Sequence, residues 1–113
     1  MKNGNKPTIY QLAWAFCIVA FSTVGGTAQA ASPKQGEAEF KEYCSACHFE
    51  GGNLINPAKT LSKKDREKNG VKTVKDIIKK MRMPGEGMTT FDDNTLPEKE
   101  AKKIAEYIIG NFK

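Results

Sequence analysis

Apolar residues between positions 35 and 113 recur at intervals of three and four, the spacing of one face of a helix, and nowhere alternate as a strand would. In "KQGEAEFKEYCSACH", Phe40, Tyr43, Cys44 and Cys47 fall at i, i+3, i+4 and i+7, which predicts a first helix. The glycine-, asparagine- and proline-bearing "EGGNLINPAKTL" predicts an irregular loop. "SKKDREKNG" opens with Ser62 and Asp65 in capping-box spacing and closes on Gly70, and its charge run reads as a short solvated helix. "TVKDIIKKMRM" repeats the start signal with Thr73 and Asp76, carries the stripe Val74, Ile77, Ile78 and Met81, and is stopped by Pro84. A loop rich in Gly and Thr, "PGEGMTTFDDNT", leads to a last helix behind Pro97. Its stripe is Ala101, Ile104, Ala105 and Ile108, and Gly110 is expected to end it. The pattern predicts an all-α fold of about four short helices with no internal repeat. Their stripes are too modest to bury much surface against one another, so something apolar at the centre is expected.

The first thirty residues follow a different rule. Lys2 and Lys6 precede the apolar run "LAWAFCIVAFSTV", and "AQA" (Ala28, Gln29, Ala30) offers the small residues that a signal peptidase reads. The run is shorter than the roughly 20 apolar residues a spanning helix needs. The expectation is a cleaved export signal over residues 1–30 and a single domain over 31–113, periplasmic or membrane-associated, with no membrane span after cleavage. Lipidation at Cys17 is disfavoured because the bulky Phe16 precedes it.

Charge changes the picture little. The chain carries a formal net charge of +5, part of which belongs to the leader. No basic stripe interleaved with aromatics suggests nucleic acid. A domain this small often leans on a disulfide, metal or cofactor for stability.

Cysteine usage says which. Removing the leader takes Cys17 with it and leaves Cys44 and Cys47, two residues apart, with His48, the chain's single histidine, directly after. A disulfide closing so short a loop would constrain the unfolded chain little. Structural zinc wants four ligands, and no further Cys or His exists. A redox dithiol usually sits at a helix N-terminus beside a strand, and no strand is expected. Cys-x-x-Cys-His is the sequence form of c-type haem attachment: two thioethers to one haem, with the adjacent histidine as proximal iron ligand. Attachment of this kind takes place outside the cytoplasm, in accord with the leader.

A single histidine also excludes bis-histidine ligation within the chain, leaving methionine or lysine as distal partner. Met81 lies on a helix stripe and reads as core. Met83 precedes Pro84 at a helix end. Met88 sits in the Gly-rich loop, where the chain could fold back over the opposite face; it is the favoured ligand, with Met83 as the fallback.

Together "CSACH", "GGN", "NPAKTL", "NG", "GMTTF" and "IAEYI" resemble the monohaem class I cytochromes c, in particular the cytochrome c6-like group that includes periplasmic and outer-membrane cytochromes of metal-reducing bacteria. The resemblance implies a class I fold around one covalent haem c, with N- and C-terminal helices crossing at Gly36, Phe40 and Tyr107. It implies Met88 as distal ligand and the Pro57 carbonyl as acceptor for His48 Nδ1. It also implies that Asn53, Lys59 and Thr60 lie near the haem propionates. One residue departs from the pattern: Thr89 stands where proline usually follows the ligand.

With both axial positions filled by protein, the expected function is a mobile, monomeric one-electron carrier, not an enzyme, with redox proteins of an electron-transfer chain as its partners. Lys63, Lys64, Lys79 and Lys80 are candidates for steering it to acidic partners. The alternative is a haem protein with a labile distal site that binds or senses a small molecule, for which Thr89 is the only support.

Overall fold

The structure, a computed structural model, describes residues 34–113. The expected leader, residues 1–30, lies outside the described residues. Four helices follow in order: α1 (Glu37–Tyr43), α2 (Lys63–Lys68), α3 (Val74–Arg82) and α4 (Glu98–Asn111), with a 3-10 turn at Phe49–Gly51 between α1 and α2. No strand occurs among the described residues.

α2 and α3 start at the side-chain caps their sequences predict. Thr73 accepts the Asp76 amide while the Asp76 carboxylate accepts the Thr73 amide, so both halves of the box form at α3. At α2 only one half forms. Ser62 accepts from the Asp65 amide, but the Asp65 carboxylate accepts from the Thr60 hydroxyl instead. Gly70 follows α2 with φ +74°, a backbone region open to glycine without strain, and its amide returns to the Glu67 carbonyl. α3 gives way at Met83, before Pro84. Gly110 does not end α4; the helix runs on to Asn111, and Phe112 behind it packs against the rings of Phe40 and Tyr107.

α4 is the spine, packed against both α1 and α3. Its stripe of Ala101, Ile104, Ala105 and Ile108 is buried, and these residues meet Phe40 from α1, Ile77 and Met81 from α3, and Leu96 from the loop before α4. The crossing of α1 over α4 is close at Gly36, where a Cβ would collide with the Lys103 carbonyl and come within 2.8 Å of Tyr107 Cβ. Phe40 stacks on Tyr107 at 5.2 Å beside this point, and Lys103 Nζ reaches Glu39 Oε1 at 3.0 Å. Gly36, Phe40 and Tyr107 thus form the crossing of the first and last helices.

Two charged residues that pattern alone would leave in solvent are drawn inward. Arg66 is buried, against the expectation of a wholly solvated α2; its Nε donates to the Leu61 carbonyl at 2.8 Å and its Nη2 to that of Phe112 at 3.4 Å. The second is Arg82, at the end of α3, which donates to three loop carbonyls.

Candidate haem site

The cysteine–histidine motif begins where α1 ends. Cys44 caps the helix, and the amides of Cys47 and His48 both return to its carbonyl, at 3.2 and 2.9 Å, so the motif occupies one further turn. The Leu54 amide donates to the Cys47 carbonyl at 2.9 Å and ties the following loop to this turn. Cys44 faces a cleft whose lining also includes His48, Asn53, Lys59, Thr60 and Met88. Ile77, Met81, Leu61, Val71 and Ile108 give the cleft its apolar walls. Residues far apart in sequence, on the motif turn, on α3 and in the loop before Phe91, therefore converge on one space.

His48 Nδ1 lies 2.8 Å from the Gly52 carbonyl oxygen. A carbonyl can only accept, so Nδ1 carries the proton and Nε2 keeps its lone pair, the tautomer a metal needs. Pro57 does not play this part. It is exposed and outside the cleft lining, whereas the tight turn through Phe49–Gly51 brings the Gly52 carbonyl back beneath the ring four residues after His48.

Asn53, Lys59 and Thr60 line the same cleft, and local geometry explains how. Asn53 Oδ1 accepts the amides of Ile55 and Asn56 at 3.0 and 2.8 Å, and its Nδ2 donates to the Lys59 carbonyl at 2.9 Å. One side chain thereby folds the whole 53–59 loop. The Thr60 hydroxyl donates to the Asp65 carboxylate, which holds that carboxyl below the usual carboxylate range, and its oxygen lies 2.9 Å from Ser62 Oγ.

The two methionines part company. Met88 is half-buried and packs against the core while lining the cleft. Met83 is 62% exposed and lies outside it, so the fallback ligand has no geometric support. Cys47 is exposed and also absent from the lining, although the turn holds it beside Cys44 and His48.

The rival chemistries fare poorly on the same geometry. Among the described residues no three or more His, Cys, Asp or Glu side chains gather as a metal-ligating group, which leaves zinc without a site. Burial pushes the Cys44 thiol up to about 11, and the cysteine stands at the C-terminal end of α1, where the helix dipole also disfavours a thiolate. A reactive dithiol needs the reverse. The residues present do fit a haem: two thiols and an imidazole on one turn, a thioether in the same cleft, apolar walls, and the cations Lys59 and Lys80 on the lining to meet carboxylates.

Ile55, Asn56, Asp65, Arg66 and Lys80 also line the cleft and were not expected there. For Arg66 a signal existed. It is the one arginine in a run of lysines, and its planar fork suits several carbonyl acceptors at once. Ile55 carried none, because its place depends on the turn made by Asn53.

Comparison with known proteins agrees with this site. The family described as cytochrome c oxidase, cbb3-type, subunit III matches residues 31–108. Cytochrome c6 of Rippkaea orientalis is 34% identical over 101 residues, which cover 88% of this chain and 90% of that protein. The outer membrane cytochrome OmcF of Geobacter sulfurreducens superposes with a TM-score of 0.68 at 41% identity, over 69% of this chain and 99% of OmcF. Cytochrome c6C of Synechococcus sp. PCC 7002 does so with a TM-score of 0.64 at 27% identity, over 69% of this chain and 94% of its own. The crossing of α1 and α4, the haem-attachment motif and these similarities lead to one assignment: the chain belongs to the monohaem cytochromes c of the c6-like group, electron carriers rather than enzymes, with one covalent haem c.

Proposed function

We propose that this protein is an exported, periplasmic one-electron carrier whose haem is held by thioethers from Cys44 and Cys47, with His48 as proximal and Met88 as distal iron ligand. Its mature domain begins at Ala31. When bound, haem supplies a one-electron iron couple, and everything else is set by the chain.

The observation that carries the reading is the convergence of His48 and Met88 on one cleft, His48 with Nδ1 already committed to Gly52 and Nε2 therefore free. The Gly52 carbonyl fixes the ring's orientation and tautomer. A Met88 thioether favours the reduced metal, and the apolar walls from Ile77, Met81 and Leu61 disfavour added positive charge; both raise the reduction potential. Ligand identity spans roughly 0.8 V among haem proteins and so outweighs any single surface charge. With two protein ligands no position remains for a substrate. The partners are larger redox proteins. Exposed Lys63, Lys64, Lys79 and Lys80 favour acidic docking faces, with association slowing as salt rises. No described helix is long and apolar enough to cross a membrane.

The test is the visible spectrum of the purified holoprotein, oxidised and reduced, before and after carbon monoxide. A low-spin c-type spectrum with the weak red sulfur-to-iron band, unmoved by carbon monoxide, is expected. Ready uptake of carbon monoxide would overturn the carrier reading and favour a labile distal site that binds a small molecule.

A further inference from the structure

The loop that carries Met88 is nearly bare of internal hydrogen bonds. The Met88 amide reaches the Gly85 carbonyl only at 3.4 Å, near the limit of a useful bond, and Thr89 brings none of the stiffness of a proline. The loop is instead closed at its base. The Met83 amide ends α3 on the Lys79 carbonyl at 2.8 Å, and the Phe91 amide returns to the Met81 carbonyl at 2.9 Å. Between these two ties sits Arg82. Its Nη1 donates to the carbonyls of Phe91 at 2.9 Å, Asp92 at 3.2 Å and Leu96 at 2.8 Å. Its Nη2 lies 2.6 Å from Asp93 Oδ1 and 3.4 Å from Glu98 Oε2.

The side chain of Arg82 is 19% exposed, while its two carboxylate partners are 77% and 70% exposed. Exposed pairs of that kind contribute little. The carbonyl bonds to the half-buried guanidinium are charge-assisted and are the stronger component. They fix the segment that returns from Met88 into the core at Phe91 and Leu96, both packed with the helices.

We infer that Arg82 is a positioning residue for the distal ligand: by clamping the far end of the 83–91 loop it holds Met88 over the cleft, doing the work that a proline after the methionine would otherwise share. The inference rests on Met88 being the ligand. Its physical content is a population. A loosened base lets the loop open more often, and the apparent affinity of any competing ligand rises with the open fraction.

The experiment titrates imidazole into the oxidised holoprotein and measures the reduction potential for wild type, Arg82→Gln, Arg82→Lys, Met88→Ala and Glu39→Gln. Arg82→Gln should raise imidazole affinity roughly 10- to 100-fold, the usual effect of losing an outer partner of a metal ligand, and lower the potential. Arg82→Lys keeps the charge and loses the planar fork, so it should resemble Arg82→Gln; it also carries the test if the glutamine variant fails to accumulate haem. Glu39→Gln, which breaks the α1–α4 ion pair far along the chain from the loop, should lower stability and leave imidazole affinity unchanged. Wild-type affinity in Arg82→Gln, or recovery of it in Arg82→Lys, overturns the inference. If Met88→Ala opens the iron and Arg82→Gln does not, only the clamp fails. If Met88→Ala changes nothing, the ligand assignment beneath it fails as well.

Discussion

Replacing Gly36 with alanine tests the crossing on which the fold depends. Gly36 is buried with φ −92°, a value any residue adopts, so backbone strain does not enter and the cost is one of packing. The added Cβ meets the Lys103 carbonyl and lies 2.8 Å from Tyr107 Cβ, where carbon atoms prefer about 3.5–4.0 Å. A carbonyl locked in the middle of α4 cannot swing aside, so α1 must retreat by about 1 Å. Overpacking of this kind costs about 1–3 kcal/mol. The retreat also loosens Phe40 from Tyr107 and Phe112, with ring centroids now 5.2 and 5.4 Å apart, and such pairs are each worth about 0.5–1.5 kcal/mol. Loss of part of both brings the total to about 2–4 kcal/mol. At roughly 4–8 °C per kcal/mol for a domain of this size, the melting temperature should fall by roughly 8–32 °C. Thermal melts of the reduced holoprotein followed by far-ultraviolet circular dichroism would measure it. A change within about 2 °C would mean that α1 does not lean on α4 as described.

Other consequences are simpler to state. Met88→Ala should lower the reduction potential and admit carbon monoxide, while Met83→Ala, which alters a side chain outside the cleft, should do neither; potentiometry on the two variants decides between them. Acid should weaken the fold progressively. Asp76 is held below its ordinary value of 3.8 by the Thr73 amide, Asp65 by the Thr60 hydroxyl and Asp92 by the Thr95 amide. A carboxyl depressed in the folded state stabilises the fold above its unfolded pKa and loses that contribution as pH falls through the folded one. Stability should therefore be flat near neutrality and decline below about pH 4, and Asp76→Asn should flatten part of the decline in urea titrations.

The helices were legible because their signals are local. A capping box, a stripe and a stop at Pro84 need only neighbouring residues, and α3 shows all three. What pattern could not show was competition among partners. Asp65 satisfies Thr60 rather than completing the Ser62 box, since the loop before α2 brings the hydroxyl within reach. Gly110 reads as a terminator, yet Phe112 gains more by packing on Phe40 and Tyr107 than the chain would by stopping early. The haem-attachment motif was plain in the sequence at Cys44, Cys47 and His48. The acceptor for His48 was not, because the backbone at Glu50 takes φ +50°, a conformation seldom adopted by a residue other than glycine, and tightens the turn so that Gly52 replaces Pro57. Arg82 was hidden for a related reason: it acts through backbone carbonyls, which carry no mark in the sequence.

The most direct test of the ligation is proton magnetic resonance of the reduced, diamagnetic holoprotein with its methionine methyl groups assigned. A methionine bound to haem iron has its methyl group above the macrocycle, where the ring current displaces the resonance far upfield. This displacement is expected for Met88, with Met83 near its ordinary position and the displaced signal lost in Met88→Ala. A displaced Met83, or no displaced methionine at all, would contradict it.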